Sequence, residues 1–507
     1  MASIAQSLKR INQELDLFLP LDQIHQACRD AGYRFRQCKL CSSLTVHLLI
    51  LQLLASVSFR GLRRVARILP TKQAIAQARA RLPLAALLQL VQVLCQPVTP
   101  DPTEGLWFGH RLVVIDGLCS HTPDTPQLRQ KYGKGKNQRG TSLGYPVVKL
   151  LALMDYSTGL LHKVIAMPWR LQEKTFMACL FRYLKPGDMA LADRGLVSFA
   201  HLALLLQRKL CFCICLPKSM IVHGRGNTYH RRLRRLGRQD LLVTWLRVRR
   251  PPWMSLFRFA TLPATLKLRQ IAFRLCRPGF RPNWIWIITD RLDPVLYPAK
   301  ALIELYRRRW QIEVDFRDLK NTLQMTKLRS RTADGVRKEL AAFVILYNLV
   351  RMTMLEAAWR QKVPPDRISF IDAADWLLWS EPGDVLGDLE VNPRRRRRTQ
   401  PRQQRVFQSD HPPDDTALSD RCCLAICPER RSDGREPGPR HRGALPDAVR
   451  RRRLGQRGIP PQWAGTGLRR PRCRQGANAN GHGTLALLGL SLPRSMSGEA
   501  GPRQICD

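Results

Sequence analysis

Residues 298–324 read PAKALIELYRRRWQIEVDFRDLKNTLQ, and the rest of the chain takes its meaning from this stretch. Pro298 at its start and a repeat of apolar residues every three to four positions predict a helix. At about 100° per residue, Tyr306, Arg309, Glu313, Arg317 and Lys320 fall within an arc of about 80°. Leu305, Ile312, Phe316, Leu319 and Leu323 form the neighbouring stripe, the side a core would bury. The polar face therefore sets one carboxylate among three cations and a phenol. A purely structural amphipathic helix would turn the same face to solvent, so Glu313 needs partners elsewhere in the chain before it implies chemistry.

Two such partners stand upstream. The apolar run RLVVID ends in Asp116 and MALAD ends in Asp193, and a strand terminus is a rigid place to aim a ligand at the crevice outside a sheet. Two strand-end aspartates and a glutamate on a basic helix make a carboxylate set suited to Mg²⁺, which takes oxygen ligands and leaves positions open for phosphate and water. Asp188 in KPGD and Asp124 in TPDTP read as turn formers, and Asp155 as the polar end of a hairpin strand.

Working outward, residues 1–98 are read as a helical, DNA-binding domain with basic residues at Arg34, Arg36, Lys39, Arg60, Arg63, Arg64, Arg67, Arg79 and Arg81. Residues 106–208 hold the strand with Asp116, the hairpin YPVVKLLALMD–GLLHKVIAM, a helix from about Glu173 and the strand before Asp193. In residues 209–293 strands dominate (LCFCICL, LLVTWLRV, LKLRQIAFRLC, NWIWIITD), and they are expected to form a subdomain apart from the main sheet. Their tryptophans, Trp245, Trp253, Trp284 and Trp286, are candidates for stacking on an extruded base, with core packing the plainer reading. Residues 294–380 return to helix and carry Glu313. CFCIC puts Cys211, Cys213 and Cys215 on one strand face as small buried residues.

The 507 residues carry 84 Lys+Arg against 39 Asp+Glu, a net +45. A charge of this size repels itself unless a polyanion neutralises it, which points to nucleic acid. Residues 394–507 hold 24 Arg and no Lys, with 13 Gly and 12 Pro. Residues 381–507 are expected to be a disordered tail, either a basic arm or, as preferred here, the product of a frameshift in a G+C-rich gene. The charge does not depend on it: residues 1–393 hold 60 basic and 29 acidic side chains, a net +31. The amino terminus lacks a secretory pattern, the apolar run Leu44–Phe59 falls short of a membrane span, and the fifteen irregular cysteines suit a reducing cytoplasm.

The gaps Tyr306-x2-Arg309-x3-Glu313-x6-Lys320 resemble the Y-x2-R-x3-E-x6-K signature of DDE transposases of the insertion-sequence-four family. VVIDGLCSHTPDTPQLRQKYG around Asp116, KPGDMALADRGLVSF around Asp193 and CRDAGYRFRQCKL near the start are similar to the same family, so the resemblance spans about residues 24–375. It implies an α/β, ribonuclease-H-like core with a β-rich insertion before the third carboxylate. It implies catalytic, metal-binding roles for Asp116, Asp193 and Glu313 with Mg²⁺ (or Mn²⁺ in its place), and DNA-end binding by Tyr306, Arg309 and Lys320. Arg317 joins these from the helical arc alone. The expected partner is double-stranded DNA, as transposon ends and target, met by a homodimer in the DNA complex; no membrane is involved, and the place is the bacterial cytoplasm, at the nucleoid. The alternative is a catalytically inactive DNA-binding remnant, favoured by the aberrant tail.

Overall fold

The computed structural model describes residues 19–33, 40–65, 70–95, 105–136, 142–223, 229–277, 280–309, 315–379, 386 and 389–392. The tail from residue 393 and Glu313 therefore lie outside the described residues, as do Arg34, Arg36, Lys39 and Arg67.

Ten strands make one sheet. They are β1 Leu112–His121, β2 Lys134–Lys136, β3 Ser142–Asp155, β4 Leu161–Pro168, β5 Met189–Ala192, β6 Cys211–Cys215, β7 His230–Gly237, β8 Asp240–Leu246, β9 Thr265–Arg277 and β10 Phe280–Thr289. The hairpin predicted from YPVVKLLALMD is β3 and β4, antiparallel, and β3 pairs antiparallel with β1. Strands β1, β5 and β6 are parallel neighbours. The order β4-β3-β1-β5-β6, with two antiparallel strands on one side of β1 and two parallel ones on the other, is the ribonuclease-H-like α/β core that the resemblance implied.

Beyond β6 the same sheet continues through β10, β9, β8 and β7. This corrects the expectation of a β subdomain apart from the main sheet. Ile287, Ile288 and Thr289 of β10 pair antiparallel with Cys215, Ile214 and Cys213 of β6, so the inserted strands complete an edge that would otherwise lie open. CFCIC belongs to the core, because it pairs with β5 on its other side.

Both faces of the sheet are covered, and β1 shows why. Leu112, Val114 and Leu118 pack into one core, Val113 and Ile115 into the other, as the period of two requires. The first core is built around the helix Ala333–Gln361, with Ser42–Leu54 and Leu84–Leu94 from the amino-terminal region in the same cluster. Thr332 caps that long helix by accepting from the Gly335 N–H, and Asn348 within it pins β4 by bonding both the N–H and the carbonyl of Leu161. It is long and apolar enough to cross a membrane, but 83% of its most apolar window is buried inside the fold. The second core holds Lys174–Leu180 and Phe199–Gln207; Ser198 caps the latter. Arg329 donates to the carbonyls of Ser56 and Val57, and Lys338 to that of Ala80, which ties the amino-terminal helices to the core.

Candidate active site

Asp116 lies within β1, not at its end as the sequence suggested, because β1 runs on to His121 opposite β3. The parallel ladder with β5, however, stops at Ile115–Ala192. Asp116 and Asp193 are the next residues on each strand, so both sit where the two strands part, at the carboxyl edge of the parallel part of the sheet. Each feels the other: burial pushes the Asp116 carboxyl up, Arg309 and the Gly117 N–H pull it down, Asp193 pushes it up again, and Lys320 draws it down.

Arg309 reaches Asp116 directly, with Nη1 2.8 Å from Oδ2. The arginine is buried and lies over the Tyr306 ring, 5.6 Å from its centroid. Tyr306 is buried too, on the helix Ala299–Arg308, with its hydroxyl on Cys215 and pushed well up by burial. The chain is helical again at 315–317 and then opens into a π-helical turn, Asp318–Thr322. Such turns often mark functional sites. This one carries Lys320, which lines a cavity of about 520 Å³ together with Lys327, Arg329 and, from the amino-terminal helices, Leu53 and Ser56.

The structure thus gathers Asp116, Asp193, Arg309, Lys320 and Tyr306. Arg317 stands apart: it is exposed, and the carboxylate that feels its charge is Asp318. Asp315, buried, pairs with Arg351, and Asp318 is pushed up to about 6 by burial and by Asp315. Both face the long helix and not Asp116. Arg79, counted among candidate phosphate contacts, turns inward to Ser330 and Glu339. Arg60, Arg63 and Arg64 lie in the short helix Phe59–Val65. Trp245 is fully buried and Trp253 stacks on His201, whereas Trp284 is 42% exposed and pairs with Trp286.

One residue at the site was missed in the sequence. Glu173 precedes the helix Lys174–Leu180, and a Cβ placed on Gly117 would come within 2.6 Å of its Oε2. Its carboxyl is pushed up by burial, drawn down by Lys149 and raised further by Asp116 and Asp193.

Among the described residues no three His, Cys, Asp or Glu side chains already stand together at metal-ligand spacing. The donor set nevertheless suits a hard divalent cation. Its ligands are carboxylate oxygens that raise one another's affinity for positive charge, and the Arg309 guanidinium stands in for a cation on Asp116.

Comparison with known proteins agrees with this geometry. Residues 107–349, which contain every strand of the sheet, match the family model of the transposase DDE domain. The chain belongs to the DDE transposases, of the insertion-sequence-four type. It is 26% identical over 356 residues to the transposase InsG for insertion sequence element IS4 of Escherichia coli strain K12, covering 65% of this chain and 75% of that protein. Over 141 residues it is 29% identical to the putative transposase InsZ of the same strain, 28% of this chain and 47% of that one. Among solved structures it is similar to the piggyBac transposase in its synaptic complex with hairpin DNA, with a TM-score of 0.41 and 9% identity over 74% of this chain and 81% of that one. The transposase domain begins at Trp107, close to the Pro-rich stretch QPVTPDPTEG that separates it from the amino-terminal helices.

Proposed function

We propose that this transposase cuts the ends of an insertion sequence and joins their 3′ hydroxyls to target DNA by Mg²⁺-dependent phosphoryl transfer. The observation that supports it most is the placement of Asp116 and Asp193 side by side where β1 and β5 part, with Arg309 on one of them. Asp116, Asp193 and, on the strength of the resemblance, Glu313 hold the metal. When bound, Mg²⁺ makes the attacking oxygen a better nucleophile and neutralises the leaving one.

The protein's own groups divide the remaining work. In the first reaction water attacks the phosphorus in line, its O–P bond forms as the P–O3′ bond breaks, and the proton it loses leaves through solvent. In the second, the freed 3′ hydroxyl takes the place of water. Asp116 is shared between a guanidinium and a cation, so Arg309 is free to turn to a phosphate oxygen once the carboxylate is otherwise neutralised, where its fork gives two bonds. Lys320, on the π-helical turn, presents a point charge to the same strand. Tyr306 supports Arg309 from beneath. Double-stranded DNA is the partner for both ends and target, and a homodimer would hold two ends together.

The test is a gel shift and a nicking assay on matched transposon-end DNA, each with Mg²⁺ and with Ca²⁺. Glu313→Gln should abolish nicking and leave end binding intact. A parental protein that binds ends but never nicks them would instead be the inactive remnant.

A further inference from the structure

We propose that Glu173 is a further carboxylate of the divalent-cation site, brought to Asp116 and Asp193 through the gap that Gly117 leaves in β1. This rests on the metal-dependent reading above and extends it by one ligand-bearing side chain.

Successive side chains of β1 point to opposite faces. Leu112, Val114 and Leu118 belong to one core, so Asp116 shares their face; Val113 and Ile115 belong to the other, so position 117 does too. Glu173 arrives from that second face, at the start of a helix packed there through Phe176, Met177 and Leu180. In an ordinary strand a side chain at 117 would keep the two carboxylates apart. Here there is none, and Oε2, Cδ and Oε1 of Glu173 lie 2.6, 2.8 and 3.1 Å from where a Cβ would be. The carboxylate fills the space of that absent atom and rests against the backbone beside Asp116.

A structural role accounts for this poorly. Glu173 precedes its helix without capping it, since no side-chain cap bond is made. Among the described residues its carboxylate makes no ion pair: the nearest cation acting on it, Lys149, is spent on the Leu171 carbonyl and the Trp169 ring. A half-buried carboxylate set beside two others, with no cation paired to it, is costly unless positive charge enters the site. Arg309 answers for Asp116 alone. A divalent cation at the edge of β1 would answer for all three, and its oxygen ligands would come from both faces of the sheet.

The experiment measures Mn²⁺ binding to the full chain without DNA, by the loss of the free-ion electron paramagnetic resonance signal. Metal-dependent nicking is measured in parallel. Glu173→Gln keeps size and removes charge; Gly117→Ala keeps the charge and displaces the carboxylate with its new methyl. Both should raise the Mn²⁺ dissociation constant roughly tenfold or more and shift the metal concentration for half-maximal nicking the same way, while metal-free end binding stays at the parental level. Glu173→Asp, with its charge kept, should recover part of the affinity. If Glu173→Gln binds Mn²⁺ like the parent while Asp116→Asn does not, Glu173 is no part of the site. If Asp116→Asn also binds like the parent, the metal-dependent reading itself falls.

Discussion

Two buried arginine–aspartate pairs lie on the same sheet and differ in how completely they are closed. In the inserted strands, Arg269 donates Nε and Nη2 to the two oxygens of Asp240 at 2.8 and 2.5 Å, and its Nη1 reaches the carbonyls of Tyr297, Asp293 and Arg291. The guanidinium is fully buried and every nitrogen is used. At the carboxyl edge of β1, Arg309 gives Asp116 one bond from Nη1, the other carboxylate oxygen takes only the adjacent Gly117 N–H, and further carboxylates press on the pair. A closed pair fixes where β8, β9 and the loop after β10 meet. An open pair is poised for exchange, with a cation able to take the aspartate and a phosphate the arginine.

The largest effects should come from breaking each pair on its own terms. Asp116→Asn and Asp193→Asn should lower nicking by a factor on the order of a thousand or more, since metal ligation supplies several kcal/mol to the transition state. Thermal unfolding of both variants should stay near the parental midpoint. An Asp116→Asn protein that nicks at the parental rate would move the chemistry elsewhere.

Arg269→Ala should do the reverse. It leaves Asp240 buried without its partner, at a cost of about 3–5 kcal/mol. Urea unfolding would show this, and activity per folded molecule should be retained. A stability loss equal to that of Arg309→Ala would erase the distinction between the two pairs.

The same contrast explains what could be read before the fold was known. Local patterns carried far: the β3–β4 hairpin, the strand that stops at Asp193, the buried cysteines of β6 and the long helix Ala333–Gln361 all follow from period and punctuation. Pairings between distant segments did not. That β10 would dock on β6 and continue the sheet depends on a register about 70 residues away in the chain, and no local signal encodes it. The helical arc grouped Arg309 with Lys320 correctly but assigned both to phosphate, because periodicity gives a face and not the partner across from it. It also carried Arg317 along, since an ideal helix was assumed where the chain forms a π-helical turn. Glu173 belongs to no motif. Its one sequence signal is the Gly that follows Asp116, whose meaning appears only when a second element is seen to fill the space.

A smaller effect separates the members of the open site by their duty. Arg309→Ala and Lys320→Ala should each weaken end binding and lower the slope of log affinity against log salt by about one, the loss of a single phosphate contact. Arg317→Ala, whose side chain lies away from Asp116, should leave the slope nearer the parental value. Gel shifts across a salt series would reveal an equal drop for Arg317, in which case the exposed side of the turn also grips DNA. Because residues 1–393 carry +31 without the tail, removing residues 394–507 should keep most of the slope.

The smallest effect concerns a buried ionisable group with neither kind of pair. His201 is fully buried, with Nδ1 2.8 Å from the Ser198 hydroxyl and its ring stacked on Trp253 at 4.6 Å. Burial, set against a bond with the Lys174 backbone and joined by the Lys174 charge, lowers its pKa to about 3. The unfolded chain therefore binds a proton that the folded chain refuses between about pH 6.5 and pH 3. Stability from this group is full above pH 6.5 and falls as pH drops through that window, at up to about 1.4 kcal/mol per pH unit. Arg269 tolerates its charge at equal depth because a carboxylate and carbonyls surround it; the serine hydroxyl and indole beside His201 offer no such compensation. His201→Phe should therefore flatten the acid limb of a stability–pH curve measured by urea unfolding. Retention of the parental slope below pH 6 would assign the acid sensitivity to other groups, with His47, buried in the helix Ser42–Leu54 and lowered to about 4, the next to substitute.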